Sequence, residues 1–252
     1  MERVKLTPMI PRSHHVAAVA GRFAREAAAQ GAGEVCAVFQ RSFYARFPGG
    51  RYACIGEAAL GCGPLNALVG SFDIHAVGEK IFLETMSVWG PPSPGGLPDL
   101  EAIRATALVP EEGLGCLITG RHNALCEHAQ PALEAVGRWL AGHTLSQDAE
   151  RLLGLGPGLT PSGDDYLGGV MVALRRLDRG AQADALWHWL EPRLTERTSA
   201  ISAAHLAAAA QGEAHEALHE VLNGRLEFDR LDAVGHGSGW DALAGAMAVL
   251  RA

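Results

Sequence analysis

Three features predict an α+β protein, with an N-terminal small antiparallel β-sheet or partial barrel followed by a C-terminal helix-rich subdomain. Apolar residues alternate through short, glycine-punctuated segments near the start, and they recur at helical spacing through most of the remainder. Between the two regimes lies Gly90-Pro91-Pro92-Ser93-Pro94-Gly95-Gly96-Leu97-Pro98, a density of Pro and Gly that neither helix nor sheet tolerates. The boundary is expected in that linker, dividing 1–96 from 97–252.

Within 15–30, Val16, Val19, Phe23 and Ala27 fall at helical spacing with Gly31 and Gly33 behind them, so a helix is expected to open the fold. From Glu34 the period changes. Val35, Ala37 and Phe39 alternate, then Phe43, Ala45 and Phe47, and Pro48-Gly49-Gly50 turns the chain into 51–55, which reads as a hairpin. Further short strands are expected over 65–72 and 80–84. Beyond the linker, 99–108 reads as a short helix and 115–119 as a strand returning to the sheet. Helices are expected over 127–140, with Pro131 in the first turn, and over 145–153, 163–177, 182–190, 198–211, 213–222 and 239–250. Asn223-Gly224 ends the penultimate one, and the small side chains of 203–210 permit close helix packing.

Composition narrows the function classes. With 48% apolar and 19% charged residues the chain folds rather than remaining disordered. A net charge of -7 without a basic run argues against a nucleic-acid surface. The five cysteines show no CxxC spacing, so they read as reduced thiols rather than a disulfide framework or zinc site. No segment approaches the roughly 20 uninterrupted apolar residues of a membrane span. The stretch 1–15 lacks a secretory h-region, and a cytoplasmic location is expected.

The most constrained stretch is Gly154-Leu155-Gly156-Pro157-Gly158-Leu159-Thr160-Pro161-Ser162-Gly163-Asp164-Asp165. Alternate glycines and two prolines build a loop of fixed shape that runs into a helix, with Ser162 suited to the N-cap and Asp165 to the third helical position. Such a loop delivers free N–H groups and the positive end of a helix dipole to one point, an arrangement that holds anions.

The motif recurs 76 residues later. Ser162-Gly163-x-Asp165-x-Leu167-x-Gly169-x-Met171-x-x-Leu174 matches Ser238-Gly239-x-Asp241-x-Leu243-x-Gly245-x-Met247-x-x-Leu250 at seven of thirteen positions. Each copy reads as a Ser-x-x-Asp capping box behind a glycine loop. Two helix N-termini are therefore expected to share one pocket about a local pseudo-twofold axis. The plainer alternative is two ordinary caps, each worth about 1 kcal/mol. Asp164 has no acidic counterpart, since Trp240 occupies the equivalent position, and it is left to bind a cation such as Mg²⁺, orient an amine or act as a base.

Other candidates surround these. Thr195, Ser199 and Ser202 share one helical face and can line a polar pocket, unless Thr198 simply caps that helix. His236, in the second glycine loop, can titrate near neutral pH. Of the remaining histidines only His215 and His219 have i,i+4 spacing, and exposed helix surface is expected for that pair. No Ser-His-Asp arrangement, nucleophile elbow or Gly-Lys-Ser/Thr phosphate loop is readable.

On the 154–165 motif, supported by Thr198-x-x-Ile201-Ser202 and Gly235-His236-x-Ser238-Gly239-x-Asp241-x-Leu243-x-Gly245, the chain resembles the AllH-like family. That family is associated with one subunit of oxamate carbamoyltransferase in anaerobic allantoin breakdown. Gly63-Pro64-Leu65 and Trp89-x-Pro91 extend the resemblance into the β region. Where the family pattern has a hydroxyl residue after the histidine of the second loop, this chain has Gly237, so a hydroxyl contact there is not carried over. The resemblance implies carbamoyl phosphate as donor, a small amide such as oxamate as acceptor, and further subunits as partners. Such chemistry needs an anion site, a cradle for the carbonyl oxygen and removal of a proton from nitrogen. The residues placed in those roles are the N–H groups around Gly156, Gly158 and Gly163 with Thr160 and Ser162 for the anion, and Asp164 with Asp165 for the amino group or a bound Mg²⁺. Ser199, Ser202, His236, Ser238 and Asp241 complete the expected binding set. Two other readings are a regulatory subunit that senses a small anionic metabolite and an amide or ureide hydrolase.

Overall fold

The computed structural model describes residues 12–71 and 75–252, with Arg12 and His236 described by their backbone alone. Residues 1–11 of the stretch read as free of a secretory signal, and Phe72 at the end of an expected strand, lie outside the described residues. The chain divides into two compact units, Met1–Trp89 and Gly90–Ala252.

In the first unit, β1 (Arg12–Gly21), α1 (Arg22–Ala28), β2 (Gly33–Val38), β3 (Ser42–Phe47), β4 (Arg51–Gly56), β5 (Asn66–Val69) and β6 (Lys80–Trp89) form a closed barrel in the order β1-β5-β4-β3-β2-β6. The expected sheet is thus present, but it is fully closed and not purely antiparallel, since β1 pairs with β6 and β4 with β5 in parallel. Closure removes the free edges that an open small sheet would expose. Phe43, Ala45 and Phe47 alternate inward on β3, with Ala53 and Ile55 on β4 and Ile81 and Leu83 on β6 completing the core. The expected opening helix is instead a strand followed by a short helix. His15 and Ala17 point inward while Val16 and Ala18 face solvent, a period of two that alanine-rich sequence does not advertise. Of the expected helical period, Phe23 and Ala27 lie in the short helix, α1, whose buried Ala24 and Ala27 pack on the barrel.

The second unit comprises α2 (Leu100–Thr106), α3 (Ala124–Leu140), α4 (Ser162–Arg176), α5 (Gly180–Leu190), α6 (Leu194–Arg197), α7 (Ala200–Ala209), α8 (Glu216–Leu222), α9 (Phe228–Asp232) and α10 (Ser238–Leu250), with 3₁₀ turns that include Gly115–Thr119, Gln147–Leu152 and Gly235–Gly237. The strand expected over 115–119 is one of those turns, its Cys116 and Ile118 buried in the helical core. Asn123 starts α3 three residues earlier than expected by accepting the Cys126 N–H at 2.9 Å, which leaves Pro131 inside the helix rather than in its first turn. The His215/His219 pair is not on an exposed face. His215 caps α8 through the Ala217 N–H, while His219 is buried and its imidazole is pushed down to about 4 by burial. Among the described residues no helix is long and apolar enough to cross a membrane.

Candidate functional site

Helices α4 and α10 meet backbone to backbone at the centre of the helical core. A Cβ on Gly169 would stand 1.8 Å from the Ala242 carbonyl oxygen, and one on Gly245 would stand 1.9 Å from that of Tyr166. Positions 169 and 245, like 166 and 242, are 76 apart, so the contact is reciprocal and the repeat is a local pseudo-twofold pair. Both helix starts are thereby brought together, with Thr160 Oγ1 3.0 Å from Ser238 Oγ. The shared location expected from the repeat is the one found.

The capping boxes are not. The N-caps are Pro161 and Gly237, neither of which supplies a side-chain cap, and Ser162 and Ser238 are already helical. Freed from capping, each Ser faces the other copy's carboxyl: Ser162 favours the charged form of Asp241, and Ser238 that of Asp165. The two Ser-x-x-Asp units therefore exchange partners between helices instead of each closing on its own backbone.

Asp164 is held inside the scaffold and not left open for chemistry. Its Oδ1 accepts the Gly154 N–H at 2.9 Å, and its Oδ2 accepts the hydroxyls of Ser202, at 2.6 Å, and Thr198. These bonds tie the glycine loop to the start of α7. Gly154 itself has φ 72°, and a Cβ there would lie 2.0 Å from the Arg197 carbonyl oxygen, so the tie requires glycine. Ser199 caps α7 through the Ser202 N–H at 3.0 Å and donates to the Leu159 carbonyl at 2.6 Å, while Thr195 is exposed on α6. The hydroxyls expected to line a pocket thus serve mainly as scaffold, and the cap is Ser199 rather than Thr198.

Loop amides remain available. The Gly163 N–H is bonded to the Leu155 carbonyl at 2.9 Å and drops out of the anion set. Among the described residues no acceptor takes the N–H groups of Gly156, Gly158, Leu159, Thr160 or Ser162. They lie in the segment that leads into the positive end of α4.

Three carboxyl groups lie close enough to influence one another. Burial raises Asp164, opposed by Ser202, Thr198 and the Gly154 amide. Burial likewise pushes Asp241 up to about 6, opposed by Ser162 and by the amides of Gly115 and Leu114. Those amides donate to Asp241 Oδ1 at 2.8 and 2.6 Å. Asp165 is pushed well above the ordinary carboxylate range, first by burial and then by the charges of Asp241 and Asp164, although Ser238 and Thr160 pull it back. Its Oδ2 is buried and has no hydrogen-bond partner. Asp165, not Asp164, is the carboxyl with a buried oxygen left without a hydrogen bond.

The sequence reading missed the 113–115 segment. The pattern Gly113-Leu114-Gly115 was its available signal, and a Cβ on Gly113 would stand 2.6 Å from Asp241 Oδ1. His236 lies in the Gly235–Gly237 turn, and its side chain falls outside the described residues. Among the described residues no three His, Cys, Asp or Glu side chains form a group suited to a metal ion, so the Mg²⁺ considered from sequence finds no prepared ligand set.

Among curated proteins and among solved structures nothing matches the chain. The glycine loop, the carboxyl cluster around Asp164 and Asp165, and both paired helices fall within one segment that does match a family: residues 152–250 fit the model described as oxamate carbamoyltransferase subunit AllH.

Proposed function

We propose that the protein is a subunit of a carbamoyltransferase and that its helical unit binds a small anionic amide or carbamoyl donor where α4 and α10 begin. The observation that carries this reading is Asp165 Oδ2, buried without a partner in the first turn of the helix that the unpartnered loop amides lead into. Amides and helix dipole attract an anionic group, and the orphaned oxygen suits a ligand N–H. A charged carboxylate beside an anion would be repulsive. The raised pKa removes that conflict, because burial favours the neutral acid.

In carbamoyl transfer the acceptor nitrogen attacks the carbamoyl carbon and loses one proton, while phosphate departs with the electrons of the broken C–O bond. Accepting that proton falls to the minor ionised fraction of Asp165, which its raised pKa makes scarcer but more basic than an exposed carboxylate. Thr160 and Ser238, 3.0 Å apart, hydrogen-bond each other, which leaves one hydroxyl proton of the pair for the same ligand. The family description of the matching segment supports the carbamoyltransferase assignment and the presence of further subunits.

Calorimetric titration with oxamate, carbamoyl phosphate and inorganic phosphate tests the reading. Wild type is expected to bind at least one probe, and Asp165→Asn to weaken that binding about tenfold or more with unchanged circular dichroism. Absence of heat with all three probes would remove the proposal. Binding without turnover, alone or with added partner subunits, would reduce it to a sensing role.

A further inference from the structure

Behind the Asp241 side of this site lies a pair of thiols. Cys116, in the Gly115–Thr119 turn, and Cys126, in the first turn of α3, bring their sulfurs to 3.0 Å, inside ordinary van der Waals contact, and both are buried. The Asn123 side chain clamps the two segments together by donating at 2.8 Å to each of the Glu111 and Gly113 carbonyls while capping α3. Both sulfurs also approach the Gly113 carbonyl, at 3.7 and 3.9 Å. The loop that carries Cys116 is the loop whose Leu114 and Gly115 amides hold Asp241.

We propose that Cys116 and Cys126 close reversibly into a disulfide, and that closure displaces the 113–116 segment from Asp241 and so makes ligand binding at the paired helix starts redox-dependent. Only the link to ligand binding rests on the function proposed above; the disulfide and its effect on the loop do not. A disulfide holds its sulfurs about 2.0 Å apart, so closure draws them about 1 Å nearer than they stand in the dithiol. Two hydrogen bonds to one carboxylate oxygen tolerate little displacement of their donors.

The oxidant is a peroxide. One thiolate attacks a peroxide oxygen, the O–O bond breaks, and hydroxide leaves to give a sulfenic acid. The second thiol then displaces water from that sulfur as the S–S bond forms. Overall, two thiols and one hydrogen peroxide give one disulfide and two waters. Burial pushes the Cys126 thiol up to about 12, with the neighbouring thiol and the Asp241 charge adding to it, so the closed protein reacts slowly. Reaction awaits opening of the first turn of α3, a helix end of the kind that frays.

The test uses the full chain carrying Cys36→Ser and Cys62→Ser, which removes the two half-buried thiols. After treatment with hydrogen peroxide, peptide mapping is expected to show Cys116 linked to Cys126 with the loss of two hydrogens, reversed by a dithiol reductant. Hydrogen exchange at Leu114 and Gly115 is expected to accelerate. Affinity for the probe bound by the reduced protein is expected to fall about fivefold or more. Cys126→Ala is expected to show none of these responses, and because the linked peptide is measured with both cysteines intact, the result does not depend on that variant folding. A 116–126 pair that stays reduced under peroxide, or a disulfide that leaves exchange at 114–115 unchanged, would overturn the proposal. Unaltered probe affinity after closure would overturn the coupling to ligand. A reduced protein that binds no probe counts against the proposed function alone, and the peptide and exchange results still decide the switch.

Discussion

Asp165 and Asp241 occupy the same place in two copies of one thirteen-residue pattern, yet their surroundings differ. Asp241 accepts two backbone amides from the 113–115 segment with Ser162 facing it, whereas Asp165 has Ser238 and Thr160 near it but keeps one buried oxygen unpartnered. The preceding positions diverge further. Asp164 binds three donors and ties the glycine loop to α7, while Trp240 stacks on Phe228 at 5.4 Å and donates to Asp232 at 2.9 Å. The repeat therefore supplies equivalent frames, and the residues beside each frame decide which carboxyl is consumed by structure. The α10 copy is scaffold, and the α4 copy keeps the unpartnered oxygen on which the proposed ligand site rests.

The most damaging way to break this comparison is to part the two helices. Gly169→Ala and Gly245→Ala each drive a methyl group into a carbonyl oxygen of the opposite helix, at 1.8 and 1.9 Å. Each is expected to cost about 3 kcal/mol or more in urea unfolding, and the two costs should be similar because the contact is reciprocal. Gly168→Ala is the control. Its Cβ would meet the Ala209 methyl at 3.6 Å, an ordinary contact, so the better helix propensity of alanine should stabilise by up to about 1 kcal/mol. Clearly unequal losses at 169 and 245 would contradict the pseudo-twofold reading.

The next effect separates two adjacent carboxyls. Asp164→Ala strands the Gly154 amide and the Ser202 hydroxyl in buried surroundings, and a loss of about 2–3 kcal/mol is expected together with loss of ligand binding as the loop loosens. Asp165→Asn should lose binding while keeping stability, since it strands no partner at Oδ2. Equal stability losses in both variants would erase the distinction between scaffold and site.

Much of this arrangement was legible in the sequence, and the missing parts share a cause. The glycine loop, the hairpin around Pro48-Gly49-Gly50 and the α4/α10 repeat are local patterns, and local backbone demands write themselves into residue type. Periodicity reports which face is apolar but not what it meets. The parallel pairing of β1 with β6, and the closure it allows, join residues far apart in the chain. In β1, alanines fit strand and helix spacing alike, so Val16, Val19, Phe23 and Ala27 gave a helical period across what is a strand and then a helix. Asp165 reads as a cap, and Asp164 as the carboxyl free of capping, for a related reason. Ser-x-x-Asp reads as a cap because capping is local, whereas the partners of Ser162 and Ser238 lie on the opposite helix.

The smallest effect is one of pH, and it sharpens the contrast at Asp241. Burial raises this carboxyl to about 6, so the folded state holds a proton that the unfolded chain releases near 3.9. A raised acid contributes stability that is complete below the unfolded value and is lost as pH climbs through the folded one. The expected loss between pH 4 and pH 8 is on the order of 2–3 kcal/mol. Asp241→Asn cannot ionise, yet its amide oxygen still accepts from Leu114 and Gly115, so the variant should escape that loss. Its stability relative to wild type is expected to rise across this window and to level off above about pH 7. His219, pushed down to about 4, acts in the opposite direction, because its neutral folded form loses stability as the unfolded chain protonates below about 6.5. That contribution is common to both proteins and cancels in the difference. Thermal unfolding of the two at matched pH values decides the matter, and a difference that stays flat from pH 4 to pH 8 would mean that Asp241 is ionised throughout, with its two amide donors outweighing burial.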